Sequence, residues 1–372
     1  MPESLTPDLV ALRDRVATLA AEVLVPLRDD TALEPAERAR RTREASKAAG
    51  LFTMAQPAAA GGSAASALAL VVARDTLGQH DVGHLPGLFG PGPGVLGGVG
   101  EPLRTSHLLP LLAGEKRGGF AFTEPVDAPR QSWARVEGDE LVINGQKSYV
   151  TGGGDADFVT ALVVVEGRGP AMVVVDARAP GVTLTRRFGT LDGSHHAAFA
   201  FEEVRVPVSN LVGEPGQGLT RALGQIGDVR LAIAANCVGT AGWVVGFVTA
   251  HLLAPRRNGE PLGSHERVRL RYGDMCIRAY AARSMLYRTA RIADRGENAV
   301  NEAIATKVFA TETVGELVDM AIQLVGGEAL VEGHPLEAAY RRVRSLRLAE
   351  GESDTLRVNV ARGRLELDKG RI

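Results

Sequence analysis

The chain has 372 residues, of which 45% are hydrophobic and 23% are charged, and its formal net charge at pH 7 is −2. This length allows two or three domains with ample material for a hydrophobic core. A near-neutral charge without a clustered basic run argues against nucleic-acid binding. The two cysteines lack the spacing of a zinc site or of a disulfide framework, so neither is expected.

Two stretches of the sequence bear on where in the cell the protein is expected. Residues 1–4 lack a basic region followed by an apolar one, so we expect no export signal and a cytoplasmic protein. Residues 231–255 carry no formal charge and have about the length of a membrane span. They contain Asn236, Thr240 and His251, and a helix at the centre of a bundle has the same composition. We therefore predict a buried helix and no membrane span.

The first part of the chain, residues 5–115, shows helical spacing. Its first apolar face consists of Leu9, Leu12, Val16, Leu19 and Ala20. Residues 83–100 form a break rich in Gly and Pro. No strand precedes their glycines and no βαβ pattern surrounds them, so a Rossmann loop is not indicated. We predict an N-terminal helical domain over residues 1–118.

From residue 119 to 216 the period becomes that of β-strands. The β-rich segments are 158–165, 171–175, 182–186 and 197–206. Asn144-Gly145 is predicted to form the tight turn of a hairpin, because these residues adopt positive φ angles readily. His195 and His196 fall in or beside a strand, where adjacent side chains point to opposite faces, so no joint metal site is expected. We predict a small antiparallel β domain over residues 119–216.

After residue 216 the helical period returns and continues to the end of the chain. Four segments are long enough for a four-helix bundle, at about 218–252, 264–295, 298–326 and 353–367. We predict that this domain covers residues 217–372. The order of helices, strands and helices is informative, because few common folds insert a β domain between two helical ones.

Six short motifs occur along the chain. They are Phe122-Thr123-Glu124-Pro125, Asn144-Gly145-Gln146-Lys147-Ser148-Tyr149-Val150-Thr151, Phe201-Glu202-Glu203-Val204-Arg205-Val206-Pro207, Gly213-Glu214-Pro215-Gly216-Gln217-Gly218, Gln323-Leu324-Val325-Gly326-Gly327 and Glu350-Gly351. In this order and spacing they resemble the acyl-CoA dehydrogenase family over essentially the whole chain. The resemblance implies an α+β fold with an N-terminal helical domain, a middle antiparallel β domain and a C-terminal four-helix bundle.

The resemblance also implies a reaction, the flavin-dependent α,β-dehydrogenation of an acyl thioester of CoA or acyl carrier protein to the 2-enoyl thioester. Glu350 would be the catalytic base, and its backbone N–H together with a flavin ribityl hydroxyl would bind the thioester carbonyl. Arg230 matches an arginine on the first bundle helix and is the second expected catalytic-site residue. The chemistry needs such groups, because the α-proton is weakly acidic and negative charge develops on the carbonyl oxygen.

The implied cofactor is FAD, which takes the hydride that side chains cannot accept. Thr123 and Thr151 would hydrogen-bond the isoalloxazine, and Tyr149 would pack on it. The other expected FAD-binding residues are Phe122, Gln323, Gly326 and Gly327. The family further implies electron transfer to an electron-transfer flavoprotein, a place in fatty acid metabolism, and a homodimer or homotetramer.

Three segments depart from the family's motifs where the FAD diphosphate is expected. Residues 126–132 shorten the loop after Thr-Glu-Pro, residues 255–259 and Glu266 replace an Arg-x-x-Phe-Gly pattern with its Gln, and Glu352 and Asp354 follow the Glu-Gly pair. Acidic residues at a helix start suit the helix dipole, yet they repel a diphosphate brought to the same place. We therefore expect a homo-oligomer with weak FAD affinity, or a heteromer with a paralogue that supplies the missing contacts.

Two other functions stay open at this point. The chain could be a half-catalytic or non-catalytic subunit of a heteromeric acyl-CoA dehydrogenase. It could also be a flavin oxidase or monooxygenase on the same fold, although Glu rather than Asp at position 350 argues against that function.

Overall fold

A computed structural model of the chain describes residues 4–257 and 259–370. The α-helices are α1 Pro7–Leu19, α2 Val25–Asp29, α3 Pro35–Ala48, α4 Ala67–Gln79, α5 Leu109–Ala113, α6 Gly218–Leu253, α7 Glu266–Asp294, α8 Val300–Val325, α9 Pro335–Arg344 and α10 Ser353–Leu365. The strands are β1 Gly118–Ala121, β2 Trp133–Glu137, β3 Glu140–Thr151, β4 Phe158–Val165, β5 Gly169–Asp176, β6 Val182–Gly189, β7 His195–Pro207 and β8 Leu211–Val212. This order of helices, strands and helices confirms the predicted fold class.

The chain divides into two compact units. The helical unit takes in the chain up to Ala55, Ser63–Phe89 and the chain from Gly227 onward. The sheet unit takes in Gln56–Gly62 and Gly90–Ile226. The boundaries predicted at residues 118 and 216 stay a prediction, but helix α4 belongs to the same compact unit as the bundle helices α7 to α10.

The helical unit is built around one large apolar core. Its buried side chains come from α4, α6, α7, α8 and α9, and include Val72, Val244, Leu286, Leu317 and Leu336. Fully burying an aliphatic side chain of this size contributes about 1.5–3 kcal/mol relative to exposure. Helices α4 and α6 pack with their backbones in close approach at two glycines, because a Cβ on Gly78 would lie 2.7 Å from the Gly239 Cα.

Polar contacts also fix α4 against α7. Asp75 is fully buried, and its carboxylate accepts hydrogen bonds from Arg283 Nη2 and Tyr287 Oη, each at 2.7 Å. Asp294 accepts hydrogen bonds from the backbone N–H of Ala67 at 2.6 Å and of the next residue at 3.1 Å. Amides at the start of α4 therefore receive a carboxylate from α7, which satisfies donors that the helix itself leaves unpaired.

Helix α6 is the one helix among residues 4–257 and 259–370 that is long and apolar enough to cross a membrane, by length and composition alone. Val238, Val244 and Val248 of this helix are buried in the core of the helical unit, as predicted from the sequence. A core helix has the same composition as a span. The absence of a membrane span and the cytoplasmic location stay predictions.

The sheet unit contains an eight-stranded sheet in the order β6-β7-β3-β2-β4-β5-β8, with β1 paired to β4. β4 runs parallel to β1 and to β2, whereas the other pairings are antiparallel. The sheet is therefore mainly antiparallel. One of its apolar cores includes Ala134, Ile143, Val163, Val173 and Phe199.

The turn predicted at Asn144-Gly145 is wrong. β2 and β3 are joined at Gly138-Asp139, where Gly138 has φ +63°, and β3 continues through residues 144–145 with a register shift against β7. Gly145 has φ +144°, and a Cβ there would lie 2.4 Å from Ser132 Oγ. The glycine thus serves an irregular strand and a close approach of the neighbouring chain.

Candidate active site

Glu350 and Gly351 lie in a left-handed turn that precedes α10. Their φ angles are +53° and +112°, and a non-glycine residue in the left-handed region is uncommon and strained by about 1 kcal/mol or more. A side chain at position 351 is disfavoured by the φ angle of +112°, and a Cβ there would lie 2.8 Å from Leu356 Cδ2 and 3.3 Å from Arg230 Nη2. The glycine at position 351 therefore has a structural reason in this chain.

Two buried cations from different helices hold the carbonyl groups of this turn. Arg230 in α6 donates from Nε to the Glu350 carbonyl oxygen at 2.9 Å. Lys307 in α8 donates from Nζ to the Gly351 carbonyl oxygen at 2.8 Å. The structure thus brings together Glu350 and Arg230, the two residues predicted for catalysis, but Arg230 contacts the backbone of Glu350 rather than its carboxylate. This contact makes Arg230 a positioning residue for the turn.

The Glu350 carboxylate is half-buried. In the part of the chain that the structure describes, no hydrogen bond or ion pair reaches it. Burial raises the pKa of Glu350, and the positive charges of Arg230 and Lys307 oppose that rise only in part. A carboxylate with a raised pKa is a stronger base when ionised, which suits it to take a proton from carbon.

Lys307 was not identified from the sequence. Its side chain is fully buried, and burial lowers the pKa of its ammonium group to about 8, against the opposing influence of Cys237. The available signal was its position on α8 between the buried residues Ile304 and Val308, on the face where helical periodicity predicts an apolar residue.

In the sheet unit, two of the sequence motifs are bound to each other. Lys147 Nζ donates to Glu124 Oε1 at 2.7 Å, and the Ser132 N–H donates to the same oxygen at 2.9 Å. Burial alone would raise the pKa of Glu124, but the hydrogen bonds from Lys147 and Ser132 outweigh it and hold the pKa below its usual range. The Ser148 N–H also donates to the Thr123 carbonyl oxygen at 2.8 Å. These contacts fix Thr123 beside β3.

Three predicted flavin contacts present exposed groups in the sheet unit. Tyr149 has φ +53°, is 63% exposed, and packs edge-on against Phe188 with ring centroids 5.2 Å apart. Thr123 and Thr151 are both exposed. Phe122 is different, because its ring is partly buried and stacks on Phe120 with centroids 5.7 Å apart.

Comparison with known proteins decides the family. Models of the acyl-CoA dehydrogenase middle domain and C-terminal domain match residues 119–204 and 216–365. The probable acyl-CoA dehydrogenase YngJ of Bacillus subtilis (strain 168) is 30% identical over 70% of this chain and 72% of its own length. The chain belongs to the acyl-CoA dehydrogenase family. It is accordingly an oxidoreductase, and its cofactor is FAD.

Two further relatives of this acyl-CoA dehydrogenase span almost the whole chain. The acryloyl-CoA reductase (NADH) of Anaerotignum propionicum is 26% identical over 97% of this chain and 95% of its own length. A solved structure of a putative acyl-CoA dehydrogenase from Mycobacterium abscessus superposes with a TM-score of 0.84 at 25% identity, covering 99% of this chain and 100% of that chain. The fold is therefore that of the family from end to end.

The residues of the sheet unit fit the ring system of FAD. The exposed Tyr149 ring offers a stacking surface, and the hydroxyls of Thr123 and Thr151 offer donors and acceptors beside it. In the helical unit, Gln323 is exposed on the last turn of α8 and is followed by the exposed Gly326 and Gly327. These residues have surface available for a cofactor.

The start of α10 does not fit a diphosphate. Glu352 accepts hydrogen bonds from the backbone N–H groups of Asp354 at 2.8 Å and Thr355 at 2.9 Å, and these bonds lower the pKa of Glu352. A carboxylate of the chain itself therefore occupies amides that a helix start otherwise offers to an anion.

A basic cleft lies elsewhere in the helical unit. It has a volume of about 640 Å³ and is lined by residues that include His251, Arg256, Arg257 and Val325. Its two arginines are exposed, and Val325 directly precedes Gly326-Gly327. Of the divergent segment 255–259, Asn258 lies outside the described residues. The two arginines present guanidinium groups, which bind the oxygens of phosphates and carboxylates.

Proposed function

We propose that the protein is a dehydrogenase that converts a saturated acyl thioester of CoA or acyl carrier protein into the 2-enoyl thioester. The supporting observation is the half-buried, unpartnered Glu350 carboxylate on a turn whose carbonyl groups bind Arg230 and Lys307. Glu350 removes the proton from the carbon next to the thioester carbonyl. Bound FAD would supply the acceptor for the hydride that leaves the following carbon.

The chain's own groups have distinct tasks in this proposal. The backbone N–H of Glu350 donates to the thioester oxygen as negative charge develops there. Thr123, Tyr149 and Thr151 hold the flavin ring, and Gln323 with Gly326 and Gly327 contacts another part of the cofactor. Phe122 contributes through packing, since its ring stacks on Phe120.

We infer that electrons leave through an electron-transfer flavoprotein, and that the reaction belongs to fatty acid metabolism. A second candidate is the reverse direction, the reduction of a 2-enoyl thioester. Its support is the likeness to the acryloyl-CoA reductase (NADH) of Anaerotignum propionicum over nearly the whole chain. A half-catalytic subunit is disfavoured because Thr123, Tyr149, Thr151 and Glu350 all occur in this one chain.

We also propose a homo-oligomer with weak FAD affinity, because Glu352 occupies the start of α10. Light scattering combined with flavin quantitation on the purified chain tests this. We expect a dimer or tetramer that loses FAD on dilution. A monomer that binds one FAD tightly would contradict the proposal.

The reaction is tested by mixing the FAD-loaded protein, without oxygen, with saturated acyl-CoA and acyl carrier protein thioesters of several lengths. We expect loss of the oxidised flavin absorbance at about 450 nm. We also expect a product with one hydrogen fewer on each of the two carbons that follow the thioester carbonyl. Flavin reduction by an amine or nitroalkane, but by no thioester, would contradict the proposed function. Reaction in the enoyl direction alone would favour the second candidate.

A further inference from the structure

A chain of polar side chains in the sheet unit leads away from Thr151. Thr151 Oγ1 lies 3.2 Å from His196 Nδ1. The other imidazole nitrogen, Nε2, lies 2.9 Å from Ser194 Oγ, which in turn donates to Asp192 Oδ1 at 2.8 Å. The motifs that led to the family contain Thr151 but none of the other three residues, so the chain of contacts is a separate observation.

Asp192 sets the direction of these hydrogen bonds. An ionised carboxylate only accepts, and bonds to a charged acceptor are the stronger ones, so the Ser194 hydroxyl gives its proton to Asp192. Ser194 Oγ then accepts from His196 Nε2–H. A neutral imidazole protonated at Nε2 has a bare Nδ1, which accepts the proton of the Thr151 hydroxyl. The Thr151 hydroxyl then presents only lone pairs on its exposed side, so it can accept a hydrogen bond there but cannot donate one.

Thr190 does not change this outcome. Its Oγ1 lies 2.6 Å from Asp192 Oδ1 and 2.7 Å from Ser194 Oγ. If the Ser194 proton goes to Thr190 rather than to the carboxylate, Ser194 Oγ still has a lone pair for His196 Nε2–H. In both arrangements His196 is a donor toward Ser194 and an acceptor toward Thr151. A third arrangement, in which Ser194 donates to His196 Nε2, gives up the Ser194 bond to the charged carboxylate and is therefore the weaker one.

A proton added to His196 reverses the last bond. Both imidazole nitrogens then donate, so Thr151 accepts from Nδ1–H and its own proton is released toward the exposed side. The ring is held in place by Phe188, which stacks on it with centroids 5.6 Å apart, and by Tyr149 at 6.2 Å.

The charged and titratable groups that surround the ring come from several elements. Tyr149 belongs to β3, Asp192 to the turn before β7, and Arg186 lies over the Phe188 ring at 4.7 Å. Arg187 of β6 is ion-paired with Asp155 at 3.2 Å. The adjacent His195 is exposed, and its side chain points to the opposite face of β7.

We propose that His196 is a positioning residue that sets whether the Thr151 hydroxyl accepts or donates toward the flavin. The inference rests on the proposed place of Thr151 beside the flavin ring. Neutral His196 makes Thr151 an acceptor, which would suit the extra N–H that the flavin ring gains at N5 on reduction. Protonated His196 makes Thr151 a donor, which matches the bare N5 of oxidised FAD. The protonation of His196 therefore biases which redox form of the cofactor the chain binds.

The first test is the affinity of the full chain for oxidised FAD, measured by flavin fluorescence from about pH 5 to pH 8. His196→Phe keeps an aromatic ring on Phe188 and removes both nitrogens, and His195→Phe is the matched control. We expect affinity to rise about fivefold toward low pH, the worth of one hydrogen bond, in the wild type and in His195→Phe. We expect that rise to be absent in His196→Phe and in Thr151→Val.

The wild-type pH dependence in His196→Phe would overturn the proposal. If the pH dependence were lost in His196→Phe but kept in Thr151→Val, the proposal would be overturned as well, because His196 would then act by another route. Thioester-dependent reduction of FAD by His196→Phe shows in either case that the dehydrogenase function stands, so the two failures are distinguished.

The second test needs no cofactor chemistry. Nitrogen NMR of the histidine-labelled full chain, with the His196 signals assigned by their loss in His196→Phe, reports which imidazole nitrogen carries the proton. We expect the Nε2–H form in the wild type and a loss of that preference in Asp192→Asn. An Nδ1–H form at neutral pH would overturn the proposal.

Discussion

Lys307 Nζ donates to the carbonyl oxygen of Gly351 at 2.8 Å, so a buried ammonium group in α8 is bound to the residue directly after Glu350. Arg230 binds the preceding carbonyl from α6. The proposed base thus lies on a turn that two helices hold through charge-assisted hydrogen bonds, which are about twice as strong as neutral ones.

Replacement of Lys307 by Met tests whether its hydrogen bond holds the Glu350-Gly351 turn in place. The Gly351 carbonyl loses its donor, which costs about 1–3 kcal/mol, but the substitution also removes a buried charge whose pKa is already depressed. We therefore expect little change in unfolding free energy at pH 7 and a fall of roughly tenfold or more in α-proton exchange, because small displacements of a reacting group are costly. Urea unfolding and deuterium exchange into a saturated acyl thioester measure the two effects. The exposed Lys369→Met should change neither, and wild-type exchange in Lys307→Met would contradict the positioning role.

Stability should depend on pH through the same lysine. The pKa of Lys307 is about 8 in the folded chain, against an ordinary 10.5. Between these values the unfolded chain binds more protons, so the free energy of unfolding contributed by Lys307 rises with pH, by on the order of 2 kcal/mol. Urea unfolding from pH 7.5 to 10 should show the wild type gaining stability relative to Lys307→Met. A constant difference in unfolding free energy between the two proteins across this range would show that burial does not lower the pKa of Lys307.

Gly351→Ala should destabilise the protein. The substitution places a Cβ 2.8 Å from Leu356 Cδ2 in a residue with φ +112°, and such strain costs about 1–3 kcal/mol. Gly273→Ala is the matched control, because nothing lies within 4 Å of its added Cβ and the residue is in α7. That control should be stabilised by up to about 1 kcal/mol. Equal effects of the two substitutions on thermal unfolding would mean that the turn is not constrained.

The Lys147–Glu124 pair should show strong coupling in stability. Lys147 is 1% exposed and binds Glu124 Oε1 at 2.7 Å, so Lys147→Met leaves a carboxylate without its cation and should cost about 3 kcal/mol. The double variant with Glu124→Gln should recover part of that loss. A double-mutant cycle on urea unfolding measures the coupling, and strictly additive losses would show that the two motifs are not bound to each other.

The sequence predicted the long elements well. The segments 218–252, 264–295, 298–326 and 353–367 correspond to α6, α7, α8 and α10 within a few residues, because long amphipathic or buried helices carry many periodic positions. Helix α9, Pro335–Arg344, was not predicted, since it is only ten residues long and contains three arginines, although its buried residues Leu336, Ala339 and Val343 fall at helical spacing. One of those arginines, Arg342, is not simply solvated, because its Nη2 donates to Asp81 Oδ1 at 2.7 Å.

The conformation at Asn144-Gly145 and the residues that hold the Glu350 turn were harder to predict. Asn144-Gly145 carries the dipeptide signal of a hairpin, but the approach of Ser132 requires the glycine inside β3 instead. Glu350 follows from its motif, whereas Lys307 does not, because a lysine in a helix ordinarily indicates a solvated face. Its place between Ile304 and Val308 indicates burial, but its partner is a carbonyl group 44 residues later in the chain, which no local pattern records.

The most direct test of the account is α-proton exchange in Glu350→Gln, with folding confirmed by thermal unfolding. We expect this variant to fold and to exchange no α-deuterium into a saturated acyl thioester, whereas Asp228→Asn, which removes a carboxylate two residues before Arg230 in α6, should exchange normally. The wild-type rate should fall as pH is lowered through a Glu350 pKa that lies above the usual value. Exchange at the wild-type rate in a folded Glu350→Gln protein would contradict the assignment of Glu350 as the base.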